Sequence, residues 1–178
     1  KKGAKVTIVS SDKDLMQLYK KGVRIFDPMK NKFITDDDVL KKFGVDASKV
    51  IDVQSLAGDS SDNVPGVPGI GIKTAAELIN KYGTLENLLK SAHEIKQNKR
   101  RETLIENKDK ALISKKLVTL DHKSPVNREL SEFKLQNIDK EKLYKFLRET
   151  EFNRLLSSAI SAYGEPELES NKVETQNL

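Results

Sequence analysis

Cysteine and tryptophan are absent from this 178-residue chain, and histidine occurs only twice. Without cysteine the sequence offers neither a disulfide framework nor a thiolate zinc site. His93 and His122 lie far apart in polar surroundings, so neither is expected to bind a metal or to activate a nucleophile. No apolar run is long enough to cross a bilayer, and no membrane partner is expected. Covalent catalysis has no candidate, because no Ser-His-Asp constellation is visible.

Basic residues outnumber acidic ones, 32 to 27, which gives a formal net charge of +5. A modest positive charge suits a polyanionic partner such as nucleic acid. Much of the excess falls in one helical stretch, which carries Lys96, Lys99, Arg100, Arg101, Lys108, Lys110, Lys115 and Lys116. Two interpretations stay open: a solvated helical face, or a surface that follows a phosphate backbone and binds less tightly as salt increases.

The first candidate site follows a short strand near the start of the sequence. Residues 5–9 are apolar and β-branched, which predicts a buried strand. Asp12 and Asp14 come directly after it, at the carboxyl end, where ligand sites gather in open α/β sheets. One of the two could instead cap a helix that begins at Leu15. Capping accounts for only one carboxylate, so we favour a metal role for both.

The second candidate site lies in residues 58–75, which read Gly-Asp-Ser-Ser-Asp-Asn-Val-Pro-Gly-Val-Pro-Gly-Ile-Gly-Ile-Lys-Thr-Ala. Asp59 and Asp62 form a second pair of carboxylates, three residues apart. Two such pairs can neutralise a hard divalent cation such as Mg²⁺ or Mn²⁺, which favours oxygen ligands. The sequence therefore predicts a metal site made by Asp12, Asp14, Asp59 and Asp62.

The end of the same segment predicts a turn that binds phosphate. Gly66, Gly69 and Gly71 lack a Cβ atom, so the backbone can adopt positive φ angles and approach a ligand closely. A helical pattern follows, and the free N–H groups of its first turn would attract an anion. Lys73 adds a charge there, and Thr74 adds a hydroxyl donor. The alternative is a tight turn between two helices that binds nothing; we favour DNA binding.

The flanking segments predict the scaffold. Thr35 is expected to cap a helix, with the three aspartates after it at the positive end of the helix dipole. Asp139 is expected to cap another. Periodicity predicts a second strand at 23–26, a hairpin arm at 32–34, and helices at about 47–56, 73–81, 84–92, 99–106, 109–117, 140–149 and from 152 onward.

Several of these segments together resemble a known family. They are 9–18 (Val-Ser-Ser-Asp-Lys-Asp-Leu-Met-Gln-Leu), 23–28 (Val-Arg-Ile-Phe-Asp-Pro), 58–75, 82–89, 116–120 and 151–156. In this combination the chain closely resembles the 5′-nuclease domain of bacterial DNA polymerase I, which belongs to the flap endonuclease superfamily. The resemblance covers nearly everything from Val6 to about Gly164.

The resemblance implies a structure-specific 5′→3′ exonuclease and flap endonuclease that hydrolyses phosphodiesters with two metal ions in DNA replication and repair. The family's metal-binding aspartates correspond to Asp12, Asp14, Asp59 and Asp62. The glycine turn resembles the family's helix–hairpin–helix element, which holds duplex DNA and often binds K⁺ through backbone carbonyls. The implied partners are 5′ flaps, nicked duplex and RNA-primed ends, and the implied location is the cytoplasm.

The fold class implied is α/β, with a partial parallel sheet of a PIN-like nuclease core followed by a mostly helical region. We expect residues 1–57 to form the C-terminal part of the α/β core and 58–118 the helix–hairpin–helix region. Residues 119–164 are expected to form a helical part that packs back on the core. Residues 165–178 are polar and are expected to be a linker.

The family's complete domain opens with an N-terminal half that carries further acidic ligands and a helical arch. The present sequence begins at Lys1 without that half, so we interpret it as the C-terminal part of the nuclease domain. Polymerase domains are expected downstream, and this part alone is not expected to cleave DNA. Two alternatives stay open: a DNA-binding module without catalysis, and a nuclease completed by a second chain. The four aspartates argue against a pure binding module, because carboxylates repel phosphate.

Overall fold

The computed structural model describes residues 3–165, which fall into two units divided after Ser124. The first unit opens with a three-stranded sheet whose strands lie in the order β1 (Val6–Val9), β2 (Val23–Asp27) and β3 (Lys32–Phe33). Strand β1 runs parallel to β2, and β3 returns antiparallel to β2. The predicted second strand and its hairpin arm are confirmed.

The prediction that the first strand is buried was wrong. Val6 and Val9 are 44% and 65% exposed, and Ile8 is the β1 residue that packs against the hydrophobic core. Within the described residues β1 is an edge strand with β2 as its single neighbour. Its outer edge and much of its surface therefore lack cover, which an apolar sequence alone cannot reveal.

The helices of the first unit agree with the predicted segments, with small differences at their ends. The helix expected at Leu15 is a 3-10 helix that begins two residues earlier, and the expected helix 47–56 begins as a 3-10 turn. The 3-10 helices are Lys13–Leu18, Ala47–Lys49 and Ala92–Glu94; the α-helices are α1 (Asp36–Phe43), α2 (Val50–Ala57), α3 (Ile72–Tyr82), α4 (Leu85–Lys90), α5 (Asn98–Glu106) and α6 (Lys108–Val118).

Thr35 caps α1 as predicted. Its hydroxyl accepts a hydrogen bond from the Asp38 N–H, and the Asp38 carboxylate accepts one from the Thr35 N–H. This reciprocal arrangement is a capping box. The interpretation of the three consecutive aspartates as a helix start is therefore confirmed.

Helix α2 lies at the centre of the core of the first unit. Val50, Val53 and Leu56 are fully buried, and the helix packs against α3 and α6. Close packing on several sides holds the helix in one position. The residues that follow α2 therefore start from a fixed point.

The second unit contains a 3-10 helix (Leu130–Phe133), α7 (Lys140–Glu149) and α8 (Asn153–Tyr163). Asp139 caps α7 as predicted, accepting a hydrogen bond from the Lys142 N–H. The buried Tyr144 hydroxyl donates to the Gly164 carbonyl at 2.5 Å.

The expected domain boundaries, and the packing of 119–164 on the core, stay predictions. The expected linker lies outside the described residues from position 166 onward. Across the described residues, the helices are too short or too polar for any of them to span a membrane.

Candidate metal centre and phosphate-binding turn

Three of the four predicted metal ligands meet at one point. Carboxylate oxygens of Asp14, Asp59 and Asp62 all lie within 4.8 Å of one another. Asp59 is buried, Asp14 is half-buried and Asp62 is exposed. A single cation could contact all three oxygens at this spacing, and carboxylate oxygen is the donor that Mg²⁺ and Mn²⁺ favour.

Asp12 is not among the carboxylates that meet within this distance. Its side chain accepts a hydrogen bond from the Asp14 N–H at 2.9 Å and caps the 3-10 helix Lys13–Leu18. Capping was the alternative that the sequence left open for one of the pair, and Asp12 is that residue. A metal role for Asp12 stays a prediction.

A tight loop brings Asp62 back beside Asp59. Gly58 ends α2 at a φ of 72°, where a Cβ atom would lie 2.6 Å from the Val64 carbonyl oxygen. Asp59 and Val64 then exchange two backbone hydrogen bonds, of 3.0 and 2.8 Å. The loop between them is closed at its base, so Asp62 stays near the end of the buried helix.

Lys13 and Gln54 contact these carboxylates, and sequence reasoning missed both. The Lys13 ammonium lies 2.5 Å from Asp59 and lowers the pKa of that carboxyl. Burial raises the pKa of Asp14, and the hydrogen bond from the Gln54 amide at 2.5 Å opposes that shift. Two features of the sequence could have indicated these contacts: a lysine between the two aspartates of the first pair, and a glutamine within the mostly apolar helix at 50–57.

The segment that carries Asp14 is anchored at two points. Ser11 donates a hydrogen bond to the Asp27 carboxylate at 2.7 Å, and this bond is the main reason that the pKa of Asp27 falls to about 2. The Gln17 amide donates to the Val118 carbonyl at 3.0 Å and accepts from the Leu120 N–H at 3.1 Å. The segment is therefore tied both to the end of β2 and to the end of α6.

The glycine turn has the predicted conformation at two of its three glycines. Gly66 and Gly69 have φ angles of 59° and 74°. The prediction was wrong for Gly71, whose φ is −88°, because this residue has the ordinary extended backbone of a helix N-cap. Among the described residues, no side chain caps α3. The first-turn N–H groups are therefore not bonded by a capping side chain, and Lys73 and the half-buried Thr74 lie beside them.

Gly66 joins the turn to two helices. A Cβ atom on it would lie 2.4 Å from the Gly58 nitrogen, so the chain can approach the end of α2 only because this residue is glycine. Its N–H donates to the Ser114 hydroxyl of α6 at 2.9 Å, in a buried position. Ser114 is a third contributor that the sequence did not reveal, because it lies 48 residues further along the chain.

One cavity is lined both by Asp59 and by residues at the start of α3. It has a volume of about 370 Å³, and its lining includes Lys13, Gln54 and Asp59 together with Gly71 and Ile72 at the start of α3. A bound polyanion could therefore contact the region of the metal centre and the first turn of α3 together.

The basic stretch lies on two helices, as predicted: its residues from Lys99 to Lys116 fall on α5 and α6, and Lys96 precedes α5. Lys115 is not part of an open surface: its ammonium lies 2.7 Å from Asp52 and 2.7 Å from Glu86. These ion pairs join α6 to α2 and α4. For the other basic residues of the stretch, both interpretations made from the sequence stay open.

Comparison with known proteins places this geometry in a family. Residues 45–141 match the family model described as 5′-3′ exonuclease, C-terminal SAM fold. The chain is 52% identical over 153 residues to DNA polymerase I of Rhizobium leguminosarum, covering 86% of this chain and 15% of that protein. It is 39% identical over 155 residues to the 5′-3′ exonuclease of Aquifex aeolicus, covering 87% of this chain and 52% of that protein. The chain thus spans about half, or less, of these curated relatives.

Solved structures agree on the fold. A mutant T5 5′-exonuclease superposes with a TM-score of 0.58 at 23% identity, over 63% of this chain and 46% of that one. The catalytic core of Rad2 in complex with a DNA substrate gives 0.55 at 19% identity, over 88% and 56%. The expected α/β fold class, with a partial sheet and a mostly helical remainder, is confirmed. The family match extends over more than half of the sequence, and the chain belongs to the 5′-3′ exonuclease family.

Proposed function

We propose that this chain belongs to a 5′→3′ exonuclease and flap endonuclease of the DNA polymerase I type. In that enzyme it would bind the DNA duplex and supply some of the metal ligands. The observation that carries the proposal is the shared cavity. Its lining includes both the buried Asp59 and the start of α3. A nuclease needs a metal centre and a phosphate grip at a fixed separation, since a scissile phosphate must reach the metal while the duplex is held.

The donor set fits a hard divalent cation. Asp14, Asp59 and Asp62 present oxygens within 4.8 Å of one another, and the pKa of Asp59 is lowered, which keeps that carboxyl anionic. These residues would hold Mg²⁺ or Mn²⁺, with Asp12 as a further proposed ligand. When bound, such an ion lowers the pKa of water and stabilises charge on phosphate oxygens. A structural neighbour, the T5 5′-exonuclease, has been solved with divalent metal ions (zinc) bound.

The glycine turn and α3 would hold the duplex. Gly66 and Gly69 shape the turn, Gly71 leaves the first-turn N–H groups of α3 without a capping side chain, and Lys73 and Thr74 add a charge and a hydroxyl there. Backbone N–H groups and a lysine are the donors that phosphate oxygens accept from. Backbone carbonyls of the same turn are the proposed ligands of K⁺.

The rest of the proposal concerns partners beyond this chain. The open edge of β1 would pair with a strand of the N-terminal half, which would also contribute further carboxylates. Polymerase domains would follow in the whole protein, and its substrates would be 5′ flaps, nicked duplex and RNA-primed ends. A cytoplasmic location follows from such substrates.

The test is cleavage of a labelled 5′-flap DNA in Mg²⁺ and K⁺, with binding in Ca²⁺ measured alongside. The assays use the 178-residue chain and the full-length protein that contains it. Asp59→Asn and Asp62→Asn are compared with Asp37→Asn, which changes an exposed aspartate of α1. We expect the full-length protein to lose cleavage with the first two variants, to keep it with the control, and to bind flap DNA in every case.

Three results would count against different parts of the proposal. Normal cleavage by Asp59→Asn and Asp62→Asn would remove these residues from the metal centre. Flap binding without cleavage by the unmodified full-length protein would favour the alternative of a DNA-binding module. Cleavage by the 178-residue chain alone would show that the carboxylates of this chain suffice.

A further inference from the structure

Helix α2 carries a buried glutamine that no part of the proposed mechanism uses. Gln54 is 2% exposed on a helix whose neighbouring residues Val53 and Leu56 are fully buried. A polar side chain in such a position normally has a partner that explains it. Its amide nitrogen donates to Asp14 at 2.5 Å, across a separation of 40 residues, and its carbonyl oxygen has no hydrogen-bond partner among the described residues.

The orientation of this amide follows from its partner. An ionised carboxylate only accepts hydrogen bonds, so the nitrogen rather than the oxygen of Gln54 must face Asp14. A hydrogen bond to an ionised group is stronger than one between neutral groups, and it fixes the direction of the carboxylate. It also favours the charged form of Asp14, which burial opposes.

Helix α2 also positions Asp59, the second of the carboxylates that converge at the candidate metal centre. Asp59 comes directly after Gly58 at the end of α2, and the Gly58 N–H donates a hydrogen bond to the main-chain carbonyl of Gln54 at 2.8 Å. One turn of one helix therefore positions both Asp14, through a side chain, and Asp59, through the backbone. The two carboxylates come from distant parts of the sequence, and Gln54 contacts one directly and the residue before the other through its backbone.

We propose that Gln54 is a positioning residue that orients Asp14 as a ligand for a divalent cation. This inference rests on the proposed function, because it needs Asp14 to bind metal. Residues that hydrogen-bond to metal ligands typically change metal affinity by about 10–100-fold when they are replaced. Replacing Gln54 should therefore weaken metal binding roughly tenfold.

The experiment measures Mn²⁺ binding to the 178-residue chain by electron paramagnetic resonance of the free ion. The test variant is Gln54→Met, which keeps the shape of the side chain and removes the donor. The matched control is Gln97→Met, at an exposed glutamine outside the site. Thermal melts in chelator follow both variants. We expect Gln54→Met to bind Mn²⁺ about tenfold more weakly while it remains folded at the temperature of the binding measurement.

A double-mutant cycle separates positioning from a general structural role. If Gln54 acts through Asp14, Gln54→Met should have no further effect on affinity once Asp14→Asn is present. A second variant, Gln54→Asn, keeps the amide but is one methylene shorter, and should also lose affinity. It serves as the test if Gln54→Met does not fold.

The outcomes distinguish this inference from the function on which it rests. Unchanged Mn²⁺ affinity in the Gln54 variants, with normal binding by the unmodified chain, would overturn the role of Gln54 and leave the metal centre in place. Additive effects in the Asp14→Asn background would also overturn it. No Mn²⁺ binding by the unmodified chain would overturn the proposal that the carboxylates of this chain hold the ion, and the positioning role of Gln54 with it.

Discussion

The Lys13 ammonium lies 2.5 Å from the Asp59 carboxylate, at the point where Asp14 and Asp62 also converge. The lysine stands between Asp12 and Asp14 in the sequence, so the segment that brings an aspartate to the group also brings a cation. Hydrogen bonding to Asp59 raises the pKa of Lys13, and the same contact lowers the pKa of Asp59. Without a metal, Lys13 is the positive charge that offsets the repulsion among these carboxylates.

Lys13→Met should therefore lower the stability of the metal-free chain and increase the stabilisation that a bound metal ion provides. In chelator we expect a loss of about 1 kcal/mol of unfolding free energy, because Asp59 loses its ion-pair partner. The loss is small because the ion pair is partly exposed to solvent. In excess Mn²⁺ we expect a larger metal-induced rise in melting temperature than in the unmodified chain, because the ion no longer competes with an ammonium. Thermal melts check both, with the exposed Lys134→Met as control. Identical metal responses in Lys13→Met and the unmodified chain would contradict this role.

Local signals predicted local structure well in this chain. Thr35 and Asp139 cap their helices, because capping depends on residues within one turn. The positive φ angles of Gly66 and Gly69 were likewise visible from the glycine spacing. The two carboxylate pairs predicted that Asp14 would lie near Asp59 and Asp62, the resemblance to a family implied the same, and the structure brings these three together.

Long-range contacts could not be predicted in the same way. Ser114 supports Gly66 from 48 residues away, and Gln17 bonds to Val118 across 101 residues. Such contacts depend on how helices pack, which no pattern of a few residues encodes. The exposure of β1 has the same origin, since burial of an apolar strand depends on the neighbours it finds.

Two glycines of the turn offer a matched test of why glycine is needed. Gly66 and Gly69 both have positive φ angles, but an added Cβ would meet backbone at 2.4 Å on Gly66 and nothing within 4 Å on Gly69. Gly69→Ala should therefore cost only the conformational strain, roughly 1–2 kcal/mol. Gly66→Ala adds overpacking against backbone and should cost roughly 2–5 kcal/mol in total. Urea denaturation measures both, and equal losses would mean that close approach to α2 is not what requires Gly66.

The bond from Ser11 to Asp27 predicts a pH dependence of stability. This hydrogen bond is the largest contribution to a folded-state pKa of about 2 for Asp27, below its ordinary value of 3.8. A lowered carboxyl pKa stabilises the fold above about pH 4, and that stabilisation is lost as pH falls through about 2. Ser11→Ala should therefore be less stable than the unmodified chain at pH 7, with a difference that narrows between about pH 4 and pH 2.

Chemical denaturation across this pH range, with a carboxyl NMR titration of Asp27, measures the effect. Ser131→Ala, at an exposed serine, is the control. A difference between Ser11→Ala and the unmodified chain that stays constant down to pH 2 would show that Ser11 does not act through the charge of Asp27.

Lys73 gives a specific test of the phosphate-binding turn, because a second lysine on the same helix provides a matched control. Lys73 is exposed in the first turn of α3, which no side chain in the described part of the chain caps, and Lys81 is exposed in the last turn of the same helix. If Lys73 neutralises one phosphate, Lys73→Ala should weaken duplex binding and reduce the slope of log affinity against log salt by about 0.9. Lys81→Ala removes the same charge about 12 Å away and should leave the slope unchanged.

Fluorescence anisotropy of a labelled flap DNA in Ca²⁺, across a salt series, measures both slopes. Equal changes in the two variants would mean that the net charge of the surface, rather than the start of α3, attracts the DNA.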